Sequence, residues 1–309
     1  MEYTRILKQA WDITWKHKSL WLFGFILTLF GGAGFRGGSG AQYRFDSTNH
    51  LAPATVVGLI VAVIAVVAVV IVLALILSPL SRAALIGMVD EVEQTGTTSV
   101  RSGFRIGWSR LWRILVMDLM VGVPMAIVAA LAILLALAPL LLLTLQRAAI
   151  GILAVITAVL LMLLVIGLLI VVGTVINIVL ELAYRKCVLE KQGVFDSLRQ
   201  GYHMARQNLR HVAVLWLVLL GIGLAVGFLM TALLVLVAGL VAAPALAVWA
   251  ITQRVLAAIV VAVVLGIPGV VFLMGVSGIH VAFQSVVWTL VYHELASPAL
   301  AEVPAPAQP

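Results

Sequence analysis

The sequence predicts an all-α integral membrane protein with six transmembrane helices. They are arranged as three hairpin repeats, each preceded by a cytoplasmic amphipathic helix at the membrane interface. Three observations lead there. Of 309 residues, 64% are apolar and only 10% charged, where a soluble domain carries about 25% charged residues. The apolar residues are gathered into runs long enough to cross a hydrocarbon core of about 30 Å. A short basic stretch recurs ahead of those runs, and internal similarity of this kind marks a duplicated structural unit.

The clearest copy of the basic stretch is VLEKQGVFDSLRQGYHMARQNL, residues 188–209. Leu198, Arg199, Gly201, Tyr202, Met204, Ala205 and Leu209 repeat the order of Val100, Arg101, Gly103, Phe104, Ile106, Gly107 and Leu111 at one constant displacement. Leu7, Lys8, Ala10, Trp11 and Ile13 follow the same order near the N-terminus. Each copy carries an apolar residue, a cation, a small residue, an aromatic and a second apolar residue. The expected organisation is a single membrane domain over 1–296, in repeat units of about 1–93, 94–190 and 191–296. An Ala- and Pro-rich tail over 297–309 has no apolar periodicity and reads as disordered.

Residues 3–18 read as an interfacial helix, with Tyr3, Ile6, Leu7, Ala10 and Trp11 on one face and Arg5, Lys8, Asp12 and Lys16 on the other. The first span, Leu20–Phe30 with its flanks, is short and ends in glycines. No small-residue cleavage site follows it, so it does not read as a removable signal. The second runs from Pro53 to about Leu80, overlong, with Pro79 placed to kink its exit. Thr98 and Asp196 are the expected caps of the second and third basic helices. Their expected apolar stripes are Val100, Phe104, Gly107 and Leu111, and Leu198, Tyr202, Ala205 and Leu209. The third span covers about Ile114–Leu137, and Pro139 and Arg147 bracket an external turn. The fourth covers Ile150 to about Leu182. The fifth covers about Val212–Val241, with Gly223 and Gly227 in a GxxxG spacing that suits close helix packing, and an outer turn over Pro244–Arg254. The sixth covers Leu256 to about Tyr292, with a kink or break expected at Gly266, Pro268 and Gly269.

Charge sets the orientation. Of the 19 Lys and Arg residues, only Arg36, Arg44, Arg147 and Arg254 fall on one side of this arrangement. The remainder precede span one or lie between spans two and three or four and five, which places both termini in the cytoplasm and the protein in a bacterial plasma membrane. The contacts expected at the lipid interface are Lys8, Trp11, Arg101, Phe104, Trp108, Trp112, Arg199 and Tyr202. The partners expected are membrane lipids of the anionic inner leaflet and a membrane protein. The basic helices show no nucleic-acid-binding pattern, and the single cysteine, Cys187, excludes an intramolecular disulfide.

The run Val188-Leu189-Glu190-Lys191-Gln192-Gly193, followed by Ser197-Leu198-Arg199 and Arg206, resembles the membrane domain found beside glycerophosphoryl diester phosphodiesterases. It is also similar to a broad set of uncharacterised bacterial six-span membrane proteins of the same build. In the fused proteins the chemistry belongs to a separate soluble barrel. No polar segment here is long enough for one, so the resemblance implies a membrane module and not phosphodiesterase activity.

Ionisable and polar groups at membrane depth are the candidate site: Asp118, Asn177 and Glu181 on spans three and four, and Ser277, His280 and Gln284 on span six. All six fall in the cytoplasmic halves of their helices and would line a polar cavity if those faces converge. The alternative is structural: Glu181 pairs with Arg185 one turn on, Asp118 reaches Arg113 or Arg110, and His280 bonds a neighbouring helix. No GxSxG, HExxH or phosphate-binding GK[ST] loop occurs, and the six histidines lack ligand spacing. The chain therefore reads as non-enzymatic and without cofactor or metal, organising or sensing lipid or scaffolding a membrane partner. The alternative is a transporter or permease for a small or lipidic substrate, using the cytoplasm-facing cavity. An intramembrane enzyme ranks behind both.

Overall fold

In a hydrocarbon environment the backbone must satisfy its own hydrogen bonds, and a run of Val, Ile, Leu and Ala does so as a helix. The computed structural model describes residues 3–31, 53–140 and 148–301. Its elements are α1 (Tyr3–Lys16), α2 (Ser19–Phe30), α3 (Pro53–Thr95), α4 (Val100–Leu137), α5 (Ala148–Leu189), α6 (Val194–Gln207), α7 (Leu209–Thr252) and α8 (Val255–Ala301). Five helices, α3, α4, α5, α7 and α8, are long and apolar enough to cross a membrane. Their most apolar stretches are at most 17% buried, so the exposed Val, Ile and Leu side chains of 61–76, 152–171 and 255–272 need an apolar solvent. This is an all-α protein of membrane type. α2 occupies the place of the expected first span, but its 12 residues extend only about 18 Å.

No break in the helix occurs at the following prolines and glycines singled out in the sequence. α3 runs through Pro79, α7 through Pro244 to Thr252, and α8 through Gly266, Pro268 and Gly269. A proline removes one intrahelical bond, whereas breaking a helix in an apolar setting would leave several backbone groups unpaired. Gly269 serves packing instead, since a Cβ there would strike Val237 on α7. By contrast, a Cβ on Gly223 or Gly227 would meet nothing within 4 Å, so this pair mediates no close helix contact among the described residues. α8 continues to Ala301, past the expected start of the disordered tail at Ser297, and residues 302–309 lie outside the described residues. The external turn between Pro139 and Arg147 lies largely outside them too.

The chain forms two compact units, Met1–Leu111 with Ala213–Pro309, and Trp112–Val212. In the first unit α2 is the centre. It buries Leu20, Phe23, Gly24 and Thr28 against α8 and α3. Gly24 and Gly278 let α2 and α8 touch backbone to backbone, and a Cβ on Gly278 would lie 2.7 Å from the Phe25 nitrogen. α1 packs on α8 through Ile6, Ala10 and Thr14. The first turns of α4 sit on α3, where a Cβ on Gly107 would lie 2.6 Å from the Leu80 carbonyl oxygen and one on Gly103 would lie 2.7 Å from the Phe23 ring. Glu91 ties the α3–α4 turn by accepting from the Thr98 and Ser102 hydroxyls, both at 2.9 Å. Thr98 is thus engaged elsewhere, and Ser99 is the residue whose hydroxyl caps α4, accepting from the Ser102 amide at 3.2 Å.

In the second unit α6 packs on α5, and a Cβ on Gly201 would lie 3.0 Å from the Ala183 nitrogen. Gly193, not Asp196, is the N-cap of α6. Asp196 sits inside the first turn, where its charge favours the helix dipole. Arg113 donates to the Lys191 carbonyl oxygen at 2.8 Å, holding the α5–α6 turn in which Lys191 adopts φ +59°. Cys187 is buried and forms no disulfide.

Candidate functional site

The six polar positions fall into both units. Asp118, Asn177 and Glu181 belong to Trp112–Val212, and Ser277, His280 and Gln284 to the other.

In the second unit two of the three carry polar partners on successive residues of α5. The Tyr184 hydroxyl donates to Asp118 Oδ1, joining α4 to α5. Arg185 donates to Glu181 Oε2 at 2.7 Å and also to the Glu181 carbonyl oxygen. The Arg185 side chain is 1% exposed and that of Glu181 27%. Glu181 therefore pairs with Arg185 as the helical spacing suggests. Asp118 meets a residue outside the sequence expectation, because Tyr184 lies in a stretch of α5, from Leu182 to Val188, that is buried nearly all round. Asn177, one turn before Glu181, is exposed. In the first unit the Gln284 amide nitrogen lies 3.1 Å from His280 Nε2, and the Ser277 hydroxyl faces Met230 sulfur at 3.6 Å across the α7–α8 contact.

The chemistry of the α4–α5 cluster is cohesion: a buried guanidinium needs its carboxylate, and a phenol locks the second carboxylate to the neighbouring helix. Replacing Tyr184 by Phe removes a hydrogen bond to an ionisable group, so Tyr184→Phe is expected to lose about 2 kcal/mol. A melt of the detergent-purified variant checks this, with Asp118→Asn, which keeps an acceptor, losing less. Among the described residues no group of three or more His, Cys, Asp or Glu side chains is placed to hold a metal ion.

The eight residues expected at the lipid interface are all exposed: Lys8 and Trp11 on α1, Arg101, Phe104, Trp108 and Trp112 on α4, and Arg199 and Tyr202 on α6. Trp11 stacks on Trp15 with ring centroids 5.4 Å apart, and Phe104 on Trp108 at 6.0 Å. The residues of the expected apolar stripes divide between surface and interior. Val100, Phe104, Tyr202 and Leu209 face outward. The buried face of each basic segment is made of small or slender residues: Ile6, Ala10 and Thr14, then Gly103 and Gly107, then Ser197, Gly201, Met204 and Ala205. The signal is present in the recurring small residue, which permits close approach of a second helix.

A family model described as "Family of unknown function (DUF7544)" matches residues 13–297. The chain belongs to this family. Its description names no activity and links the chain to no phosphodiesterase. No curated protein and no solved structure matches the chain. The match takes in both units, from the end of α1 to the end of α8.

One further site of this family member is not legible in its sequence. Between α1 and the polar end of α3 lies a cleft of about 490 Å³, lined by Arg5, Lys8, Gln9, Asp12, Ile13, Lys16 and His17 of α1 and by Val92, Glu93 and Gly96. Its floor is closed by His17, whose Nε2 lies 3.3 Å from the Gly96 carbonyl oxygen and whose Nδ1 lies 3.2 Å from that of Ile13. Gly96 takes φ +74°, which ends α3 and turns its carbonyl toward His17. Nearby, His293 of α8 stands 3.4 Å from both Asp90 and Glu93. Residues 79 apart make this site, and no local pattern announces it.

Proposed function

We propose that this protein is a six-span module of the bacterial plasma membrane whose three basic segments (α1, α6 and the first turns of α4, which continue unbroken into its apolar run) rest on the anionic cytoplasmic leaflet, where it organises or senses lipid or scaffolds a membrane partner. The observation that carries the reading is the common build of the three basic segments. Each sets a small-residue face on the polar end of a long helix, Ala10 on α8, Gly107 on α3 and Gly201 on α5. Each leaves its aromatic and cationic residues outward. That shared build supports a triplicated unit. Cations held near an anionic surface contribute about 1 kcal/mol each, and outward Trp and Phe rings suit the headgroup boundary.

Chain parity supports six spans. His17, just before α2, bonds Gly96, at the end of α3, so the chain leaves and returns to one face between them. If α3 crosses, a six-span count makes α2 its returning partner. α1 packs on α8, which supports both termini on that same face. The pairing of Asp118 and Glu181 with Tyr184 and Arg185 supports a structural role for those carboxylates.

Wild-type protein is expected to melt higher in vesicles containing anionic phosphatidylglycerol than in phosphatidylcholine alone. The Lys8→Gln, Arg101→Gln, Arg199→Gln triple variant is expected to lose most of that difference, up to about 3 kcal/mol. Indifference of the wild type to anionic lipid, or reporter fusions placing the two termini on opposite faces, would overturn the reading.

A further inference from the structure

The basic residues of α1 do more than face outward. Arg5, Lys8 and Lys16 line one wall of the α1–α3 cleft, and none makes an ion pair with a described residue. Two carboxylates share the lining. Glu93 faces His293, and Asp12 lies one helical turn from both Lys8 and Lys16. Three Lys and Arg side chains against two carboxylates leave the lining net positive, around a space within the range of about 300–1,000 Å³ typical of small-ligand sites.

Its walls are fixed. Ile6, Ala10 and Thr14 are buried where α1 packs on α8, and His17 bridges the far end to Gly96. Its depth is also marked. Trp11 and Trp15, stacked and more than half exposed on the adjoining face of α1, are residues that settle at the headgroup layer. On that placement, a phosphate held in the cleft would be that of a lipid headgroup.

We propose that this cleft binds the headgroup of one anionic phospholipid of the phosphatidylglycerol class. Lys8 and Lys16 receive its phosphodiester, and Asp12 accepts from the hydroxyls of its polyol. The assignment rests on α1 lying at the membrane interface. It differs from diffuse attraction to the leaflet in being stoichiometric and confined to one of the three basic segments.

The test uses the full chain in detergent, mixed with phosphatidylglycerol, phosphatidylethanolamine or phosphatidylcholine, and native mass spectrometry to count retained lipids. One phosphatidylglycerol per chain is expected, at least tenfold favoured over the other two lipids. The Lys8→Gln/Lys16→Gln variant should reduce retention about tenfold, Lys8→Arg/Lys16→Arg should preserve it, and Arg254→Gln in the α7–α8 turn should leave it unchanged. Each variant is checked for an unaltered melt, since the substituted side chains are exposed. Equal loss in Arg254→Gln, or none in the cleft variant, overturns the cleft while leaving leaflet binding intact. Displacement by millimolar inorganic phosphate assigns the site to a free anion and overturns the lipid. Absence of both retention and any anionic-lipid stabilisation removes the broader reading with it.

Discussion

Gly24→Ala and Gly278→Ala are each expected to cost about 3 kcal/mol, the upper end of what overpacking a well-filled contact usually costs. The obstacle in both cases is backbone. A Cβ on Gly24 collides with the Gly278 carbonyl oxygen, and one on Gly278 comes within 2.7 Å of the Phe25 nitrogen and 2.8 Å of its Cα. Neither atom can swing away as a side chain would, so α2 must lift off α8. Because α2 also buries Leu20, Phe23 and Thr28 there, the loss spreads along the contact. A Cβ on Gly275, one turn earlier on α8, would meet nothing within 4 Å. Gly275→Ala should therefore be neutral or stabilising by up to about 1 kcal/mol, the usual helical preference for alanine. Melting curves of the three variants decide the matter. The double variant should lose less than the sum of the singles, since both push on one contact. Equal melts for Gly275→Ala and Gly278→Ala would refute the backbone contact.

Removing the carboxylate of Glu181 is expected to be comparably damaging. Arg185 has a side chain only 1% exposed, and Glu181 is its partner at 2.7 Å. Breaking a fully buried pair costs about 3–5 kcal/mol. The Glu181 side chain is 27% exposed and Arg185 keeps further contacts, so the loss here is expected at the lower end, about 3 kcal/mol. Glu181→Ala should therefore melt far below wild type, and Glu181→Gln, which keeps an acceptor, should fall between them. A Glu181→Leu/Arg185→Met double variant should regain most of the loss, because an apolar pair of similar volume needs no counter-charge. Thermal unfolding of this set reads the coupling directly. A double variant no better than Glu181→Ala would mean that the pair matters for something other than its own mutual satisfaction.

The pair is visible in the sequence because four residues along a helix is a fixed geometry, and Glu181 and Arg185 meet whatever the helix packs against. Asp118 is visible only as a polar residue in an apolar run. Its partner, Tyr184, is 66 residues away, and such a meeting depends on which faces of α4 and α5 are turned together. The inward faces of the basic segments escape hydropathy for a related reason. Phe104 and Tyr202 are apolar enough to be buried, but hydropathy does not distinguish a side chain facing lipid from one facing protein. Close helix contact selects small residues, so Gly103, Gly107 and Gly201 take the inner face. The prolines mislead in the other direction. In water Pro244 or Pro268 would favour a helix end, but a long apolar helix keeps its remaining bonds and tolerates the loss of one.

Composition and run length alone determined that this chain is helical and of membrane type, because an apolar solvent leaves the backbone few other ways to satisfy itself. They also located the three basic segments and the Glu181–Arg185 pair, which depend only on neighbours along the chain. Tertiary structure alone decided which face of each segment turns inward, that α2 and α8 meet through two glycines, and that His17 closes a cationic cleft on Gly96. Those outcomes join residues far apart in sequence, and they follow from steric fit between helices, a quantity that neither hydropathy nor spacing records.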